Sequence, residues 1–401
     1  MTKLLDPAAV TKAADRVEGN ESTKKGRVHQ TWFRGAKGSR PPKALQMMPE
    51  TAVMDYVLQG WTPPAPCINE DTKVTAFGSC FAAYISDWLA SRHYNVLTRN
   101  KESNAYVVSC GEGMVNSFVI RQQFEWAFEG KKFEAPLWHG YKAEEFGYDE
   151  DVRQETLRLF NETDVFILTL GLSEVWYDEP TGGVFWRTLP KDKYDPERHK
   201  FRVSTAEENA DNLRAIYHLV RKHRPDAKII LTLSPIPLIT TFRDESCISA
   251  NSVSKAVLRV AIDEVMREFK DEGHIFYWPS YEIVADIFNY PFKEDRRHLR
   301  KSVQDFIMMA FERVWCERAP TDHEYLRQWL RAKSAAGQLH ENVDGAIGGG
   351  NISKLRHMLN RNRISDFKVT DDKAKELLLR FIEEEERLQA AEATAAECCQ
   401  L

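Results

Sequence analysis

The sequence predicts an α/β protein: a parallel sheet covered by helices on both faces, in three layers. Short apolar runs recur at residues 74–77, 95–98, 165–170, 229–233 and 275–278, each with the length and character of a strand buried on both faces. Between them lie segments with apolar residues at helical spacing. Strands that alternate with helices in this way build a parallel sheet of about five strands.

Taken in order, residues 1–30 are polar and weakly periodic and read as a mobile arm. Residues 31–66 are rich in proline and tryptophan (TWFRGAKGSRPPK, then GWTPPAP), which excludes regular structure throughout. The aromatics there, Trp32, Phe33, Tyr56 and Trp61, suit an irregular covering. After the first strand, Phe81, Tyr84, Ile85, Trp88 and Leu89 fall on one helical face. Residues 117–129, 207–223, 252–269 and 302–317 show the same pattern. No strand is expected after residue 278. Helices are expected at 322–336, 352–360 and 372–392, with a glycine-rich break over 345–350. The organisation is therefore an α/β unit over 31–318 followed by a helical region over 319–401, suited to contacts between subunits of a homo-oligomer.

Composition narrows the function. Hydrophobic residues make up 43% of the 401 residues, enough for a large core, which excludes a mainly disordered chain. Lys and Arg number 55 against 60 Asp and Glu, so no global charge points to nucleic acid or to a membrane surface. The seven cysteines are scattered and form no CxxC pair, which argues against a disulfide scaffold and a structural zinc site, and no metal is expected. No stretch approaches the ~20 apolar residues of a membrane span, and the N-terminus lacks a signal-peptide core. A reducing cytoplasm is the expected location.

In parallel sheets ligands sit at the carboxyl ends of the strands, so the residues after each strand carry the information. The first strand ends in FGSCFA, residues 77–82. A glycine turn, Ser79, Cys80 and then a helix place a nucleophile in the field of a helix N-terminus, which favours a thiolate or an oxyanion. Equally, Ser79 can be a plain N-cap and Cys80 a packed filler. The third run ends in LTLGLSEVW, where Gly171 permits a turn before Ser173 and Glu174. These are pocket residues or a simple cap. The fourth ends in SPIPLITTF, where Pro235 and Pro237 stiffen a loop and Thr240 and Thr241 can line a pocket or merely leave the strand. Past the last strand stands Asp295-Arg296-Arg297-His298, in which Asp and His share one turn. Alone it reads equally as a solvated charge cluster. Walker A, HExxH, GxSxG and dinucleotide fingerprints are missing.

A nucleophile after the first strand and DxxH after the last follow the order of the SGNH/GDSL hydrolase superfamily. More specifically, GSCF followed by TLGLSEVW, SPIPLITTF and DRRH resembles the GSCFA family, over roughly residues 32–315. The resemblance implies a flavodoxin-like sheet. It sets Gly78, Ser79 and Cys80 against the superfamily's Gly-Asp-Ser, with Cys80 in the nucleophile position. It implies an oxyanion role for Gly113 in CGEGMVNSF, with Asn116 or Ser117 nearby. Gly171, Ser173 and Glu174 match the Gly-x-Asn-Asp block with serine in place of asparagine, and Asp295 and His298 match the last block outright. The implied chemistry is acyl hydrolysis or acyl transfer, on an acetyl ester of a carbohydrate or small metabolite. The implied substrate is a small molecule or glycan. No cofactor is required, and acyl-coenzyme A is a candidate acyl donor. The alternative is a catalytically silent carbohydrate- or nucleotide-binding protein on the same scaffold. Serine for asparagine favours that alternative; the intact DxxH favours the enzyme. Between the two candidate nucleophiles, position and thiol chemistry favour Cys80 over Ser79.

Overall fold

The computed structural model describes residues 39–361, 364 and 371–398. The arm expected over 1–30 and the aromatics Trp32 and Phe33 lie outside the described residues. In chain order, β1 (Val74–Gly78) leads into α1 (Cys80–Ser91), then α2 (Tyr106–Ser109), α3 (Ser117–Glu129) and α4 (Glu150–Glu162). Next come β2 (Val165–Leu170), β3 (Glu174–Asp178), β4 (Gly183–Val184), β5 (His199–Val203) and α5 (Ala206–His223). They are followed by β6 (Lys228–Leu233), α6 (Cys247–Phe269), β7 (Ile275–Trp278), α7 (Ser280–Ile287) and α8 (Lys301–Trp315). The chain continues with α9 (Asp322–Ala335), α10 (Asn342–Gly348), α11 (Ile352–Asn360) and α12 (Asp371–Cys398).

β1, β2, β6 and β7 form one sheet in that spatial order, every pair parallel. Because successive side chains point to opposite faces, each strand feeds two cores. Val74, Ala76, Val165, Ile167, Ile230 and Trp278 belong to one cluster, together with Phe81, Ile85 and Leu89 of α1 and Phe306 and Phe311 of α8. Phe77, Phe166, Leu168, Ile229, Leu231 and Tyr277 belong to the other, together with residues of α3, α4, α5 and α6. The result is the three-layer α/β/α arrangement that the sequence predicts, with the two strand faces alternating residue by residue.

Several expectations are corrected. Residues 95–98 are not a strand: a single parallel bridge joins Val96 to Val74, and Leu97–Arg99 then turns into a 3-10 helix. There Arg99 donates to the carbonyl of Ala83 and pairs with Asp87, so the chain is drawn onto α1 instead of running along β1. The sheet is thus flavodoxin-like in order, with its second strand reduced to one bridge. A second sheet was not foreseen. β3 pairs antiparallel with β4 and with β5, so Glu174, expected merely to follow a strand, opens one. The glycine-rich break starts later than expected, because α10 runs on through Gly345 to Gly348, and Gly350 then takes the left-handed conformation.

The covering before β1 is irregular as expected, with a 3-10 turn at Ala44–Met47 and a π-helical turn at Val53–Val57. Trp61 packs edge-on against Tyr277, its ring centroid 5.2 Å away. The C-terminal helices are continuous with the core. Tyr325, Trp329, Leu355 and Phe381 join the same cluster as Val74 and Ile167, and Trp329 donates to the carbonyl of Met48. Among the described residues no helix is long and apolar enough to cross a membrane.

Gly78 is the tightest point of the sheet. Its φ is +131°, and a Cβ there would fall 2.2 Å from the backbone oxygen of Thr169 on β2. Backbone cannot yield as a flexible side chain can. Gly78→Ala is therefore expected to lower the unfolding free energy by roughly 2–4 kcal/mol, read as a reduced urea midpoint at unchanged m-value. An unmoved midpoint would contradict the close approach.

Candidate functional site

The exit of β1 is built around Ser79. Its N–H donates to the backbone oxygen of Thr169 at 2.9 Å and to Thr169 Oγ1 at 2.6 Å. Its Oγ lies 2.9 Å from Thr169 Oγ1 and accepts from the N–H of Phe81, which makes Ser79 the N-cap of α1. Ser79 is buried, and these bonds engage its side chain at the start of α1. Cys80 is the first helical residue and is exposed, so it is not the packed filler that was the alternative reading.

Cys80 opens onto a cavity of about 350 Å³ at the carboxyl edge of the sheet. Ser79, Gly113, Asn116, Gly171, Glu174 and Thr240 line it too. Its apolar wall comes from the unforeseen second sheet and from the loop after β6: Trp176, Phe185, Trp186, Phe201, Leu238 and Phe242. Ile239, 75% exposed, stands at its mouth.

The predicted oxyanion residues fare differently from one another. The N–H of Gly113 donates to the carbonyl of Cys110 at 2.8 Å, so it is already engaged. What its missing side chain provides is room, since a Cβ there would fall 1.6 Å from Nη2 of Arg187. The N–H of Gly171 donates to Val115. Asn116 caps α3 through Oδ1, which accepts from the N–H of Val119, while the residue itself faces the cavity. Ser117 is buried and donates to Asn209. Ser173 is fully buried and is not among the lining residues; its N–H donates to Ser254 and its carbonyl accepts from Ser204. Glu174 accepts a hydrogen bond from Thr241 at 2.9 Å, and burial pushes its carboxyl above the usual range.

Asp295 and His298 are brought together. Oδ2 of Asp295 is hydrogen-bonded to Nδ1 of His298, and its Oδ1 accepts from the backbone N–H groups of Arg297 and His298. The bond from His298, reinforced by the two N–H groups, holds the Asp295 carboxyl well below the usual carboxylate range. The pair sits in the turn between Phe292 and Leu299, with the imidazole 52% exposed. Neither side chain is among the lining residues, but Arg297 between them is, and its Nε lies 3.4 Å from the carbonyl of Pro237. The turn therefore reaches the cavity that holds Cys80 through Arg297.

Two groups were missed at the sequence level. Lys255 of α6 is buried, and its Nζ donates to the carbonyls of Gly171 (2.7 Å) and Ile236 (2.9 Å), tying the loop after β2 to the loop after β6. Arg187 follows β4 and lines the cavity. Neither sits in a motif; the only signal was the aromatic density of GVFWRT around Arg187. Among the described residues no cluster of three His, Cys, Asp or Glu side chains is disposed to hold a metal ion.

A family model described as the GSCFA family matches residues 73–311, more than half of the chain. The chain belongs to the GSCFA family. The matched segment of this GSCFA protein opens just before β1 and closes inside α8, so it spans Cys80, the second sheet, Lys255 and the Asp295–His298 turn. No curated protein matches the chain.

Burial pushes the Lys255 ammonium down to about 7 from its ordinary value. The unfolded chain then binds one more proton than the native state between about pH 7 and 10.5, so this residue makes stability rise with pH across that window. Lys255→Met removes the effect and leaves two carbonyls without their donor. The variant is expected to be less stable than wild type. The gap should widen by up to about 2–3 kcal/mol from pH 7 to pH 9, measured by urea unfolding at several pH values. A gap independent of pH would refute the assignment.

Proposed function

We propose that this GSCFA protein is an SGNH-like acyl hydrolase or acyltransferase with Cys80 as nucleophile and the Asp295–His298 pair as its proton relay. The observation that carries the reading is an exposed cysteine at a helix N-terminus, opening onto a cavity that is also lined by Arg297 of the turn bearing a hydrogen-bonded Asp–His pair. In this scheme the helix terminus favours the thiolate. Sγ of Cys80 attacks the acyl carbonyl and forms a thioester, while the departing oxygen of an ester, or the departing sulfur of acyl-coenzyme A, takes a proton from His298. Water or an acceptor hydroxyl then gives a proton to His298 and attacks the thioester, releasing the acid or the new ester and restoring the thiolate. Asp295 orients the imidazole throughout. The acyl group is an acetyl or other small acyl ester of a carbohydrate or small metabolite, with acyl-coenzyme A as a candidate donor.

A second reading is a catalytically silent carbohydrate- or nucleotide-binding protein. Two observations favour it: Ser173 lies off the cavity, and the N–H of Gly113 is engaged with Cys110. Neither can then serve the oxyanion as their counterparts in the superfamily do.

The readings separate in a screen of 4-nitrophenyl esters, acetylated sugars and acetyl-coenzyme A. For the enzyme, Cys80→Ala is expected to abolish turnover and His298→Ala to lower it roughly 100-fold or more. Ser79→Ala is expected to keep turnover while losing about 1–2 kcal/mol of stability, since it loses a cap and a buried hydrogen bond. Full turnover in Cys80→Ala would remove the thiol from the mechanism. A wild type that binds acetylated sugars without turning them over would establish the silent reading.

A further inference from the structure

The wall of the cavity contains a cation whose donors the fold leaves without acceptors. Nε and Nη2 of Arg187 are buried, and neither has a hydrogen-bond partner. A buried charged donor without an acceptor is costly. These two nitrogens form one edge of the guanidinium plane, the edge that donates side by side to two oxygens of a carboxylate or phosphate. Gly113, lacking a side chain, allows Nη2 to come within 1.6 Å of where a Cβ would stand. The ring of Tyr141 lies over the guanidinium, its centroid 3.9 Å from the guanidinium carbon, and Tyr141 is 56% exposed. Arg187, Tyr141, Asn116 and Cys80 all line one cavity, and most of its remaining wall is aromatic or aliphatic.

We propose that Arg187 binds an anionic group of the substrate, a carboxylate or a phosphate, held by Nε and Nη2 together, with the Tyr141 ring against the face of the guanidinium. The apolar wall formed by Trp176, Phe185, Phe201 and Phe242 takes the body of the molecule. The substrate is then an acyl compound that carries a two-oxygen anion on an apolar frame. This rests on the cavity being the substrate site, as in the proposed function, but not on Cys80 being the nucleophile.

The test measures binding to the Cys80→Ala protein, by calorimetry or by the fluorescence of Trp176 and Trp186. The probes are 4-phenylbutyrate, 3-phenylpropylphosphonate and the neutral 4-phenylbutyramide. At least one anion is expected to bind roughly tenfold or more tightly than the amide, and the tighter of the two names the source of the anion. Arg187→Gln should erase that preference and Arg187→Lys should keep part of it. Equal binding of amide and anions, a preference that survives Arg187→Gln, or no binding of any probe at millimolar concentration overturns the proposal. If Arg187→Gln does not fold, the wild-type comparison and Arg187→Lys decide. Turnover is not the readout here, so failure of the nucleophile assignment and failure of the anion site give different results.

Discussion

The carboxyl edge of the sheet depends on one close approach, that of β1 to Thr169 at Gly78. A glycine there lets the two backbones come near enough for the N–H of Ser79 to reach both oxygens of Thr169. That contact ends β1 and aligns Ser79 to cap α1. It also delivers Cys80 to the first helical position, facing the cavity and not the core. The serine and the cysteine are neighbours in sequence, yet the contact divides their work: one is consumed by backbone geometry and the other is presented to solvent.

The rest of the cavity is assembled from excursions far apart in the chain, and they are held mainly through backbone. Lys255 grips the carbonyls of Gly171 and Ile236, and Arg297 reaches the carbonyl of Pro237. Carbonyl oxygens are present whatever the residue, so the loops can change side chains without losing these ties. The second sheet is anchored differently, through side chains, by one buried carboxylate. Asp178 is paired with Arg198 and accepts from Thr181 at 2.5 Å, and both partners hold it ionised against the cost of its burial.

Much of the layered fold was legible in the sequence because it obeys two simple periods. The runs at 165–170, 229–233 and 275–278 are apolar on both faces, and each became a central or neighbouring strand. The run at 95–98 is shorter and half polar, with Asn95 and Thr98 at its ends, and contacts of Arg99 with α1 override it; no local pattern encodes them. The second sheet escaped because its strands are five, two and five residues long and the two longer ones mix charges with aromatics. Around the cavity, Cys80 was readable from its motif, and so was the pairing of Asp295 with His298. Arg187, Tyr141 and Lys255 were not. Each is meaningful only through a long-range neighbour, whether the empty space at Gly113, the guanidinium itself, or two distant carbonyls.

The shared core of the sheet and the C-terminal helices sets an order of assembly. As the ribosome delivers the chain, all four parallel strands are complete once Trp278 has emerged. At that moment the face bearing Val74, Ile167 and Ile230 has α1 but still lacks α8 and the helices beyond it, whose Trp315, Tyr325, Trp329 and Phe381 belong to the same cluster. The N-terminal covering waits as well, because the N–H groups of Cys67 and Ile68 both donate to the carbonyl of Trp315. A chain ending at residue 311, where the family match ends, would hold most of α8 but lack Trp315, Tyr325, Trp329 and Phe381 of that cluster and leave apolar surface uncovered. That is the kind of surface on which chaperones act. The segment that the family model matches therefore shares its core with chain outside it on both sides and does not carry that core complete.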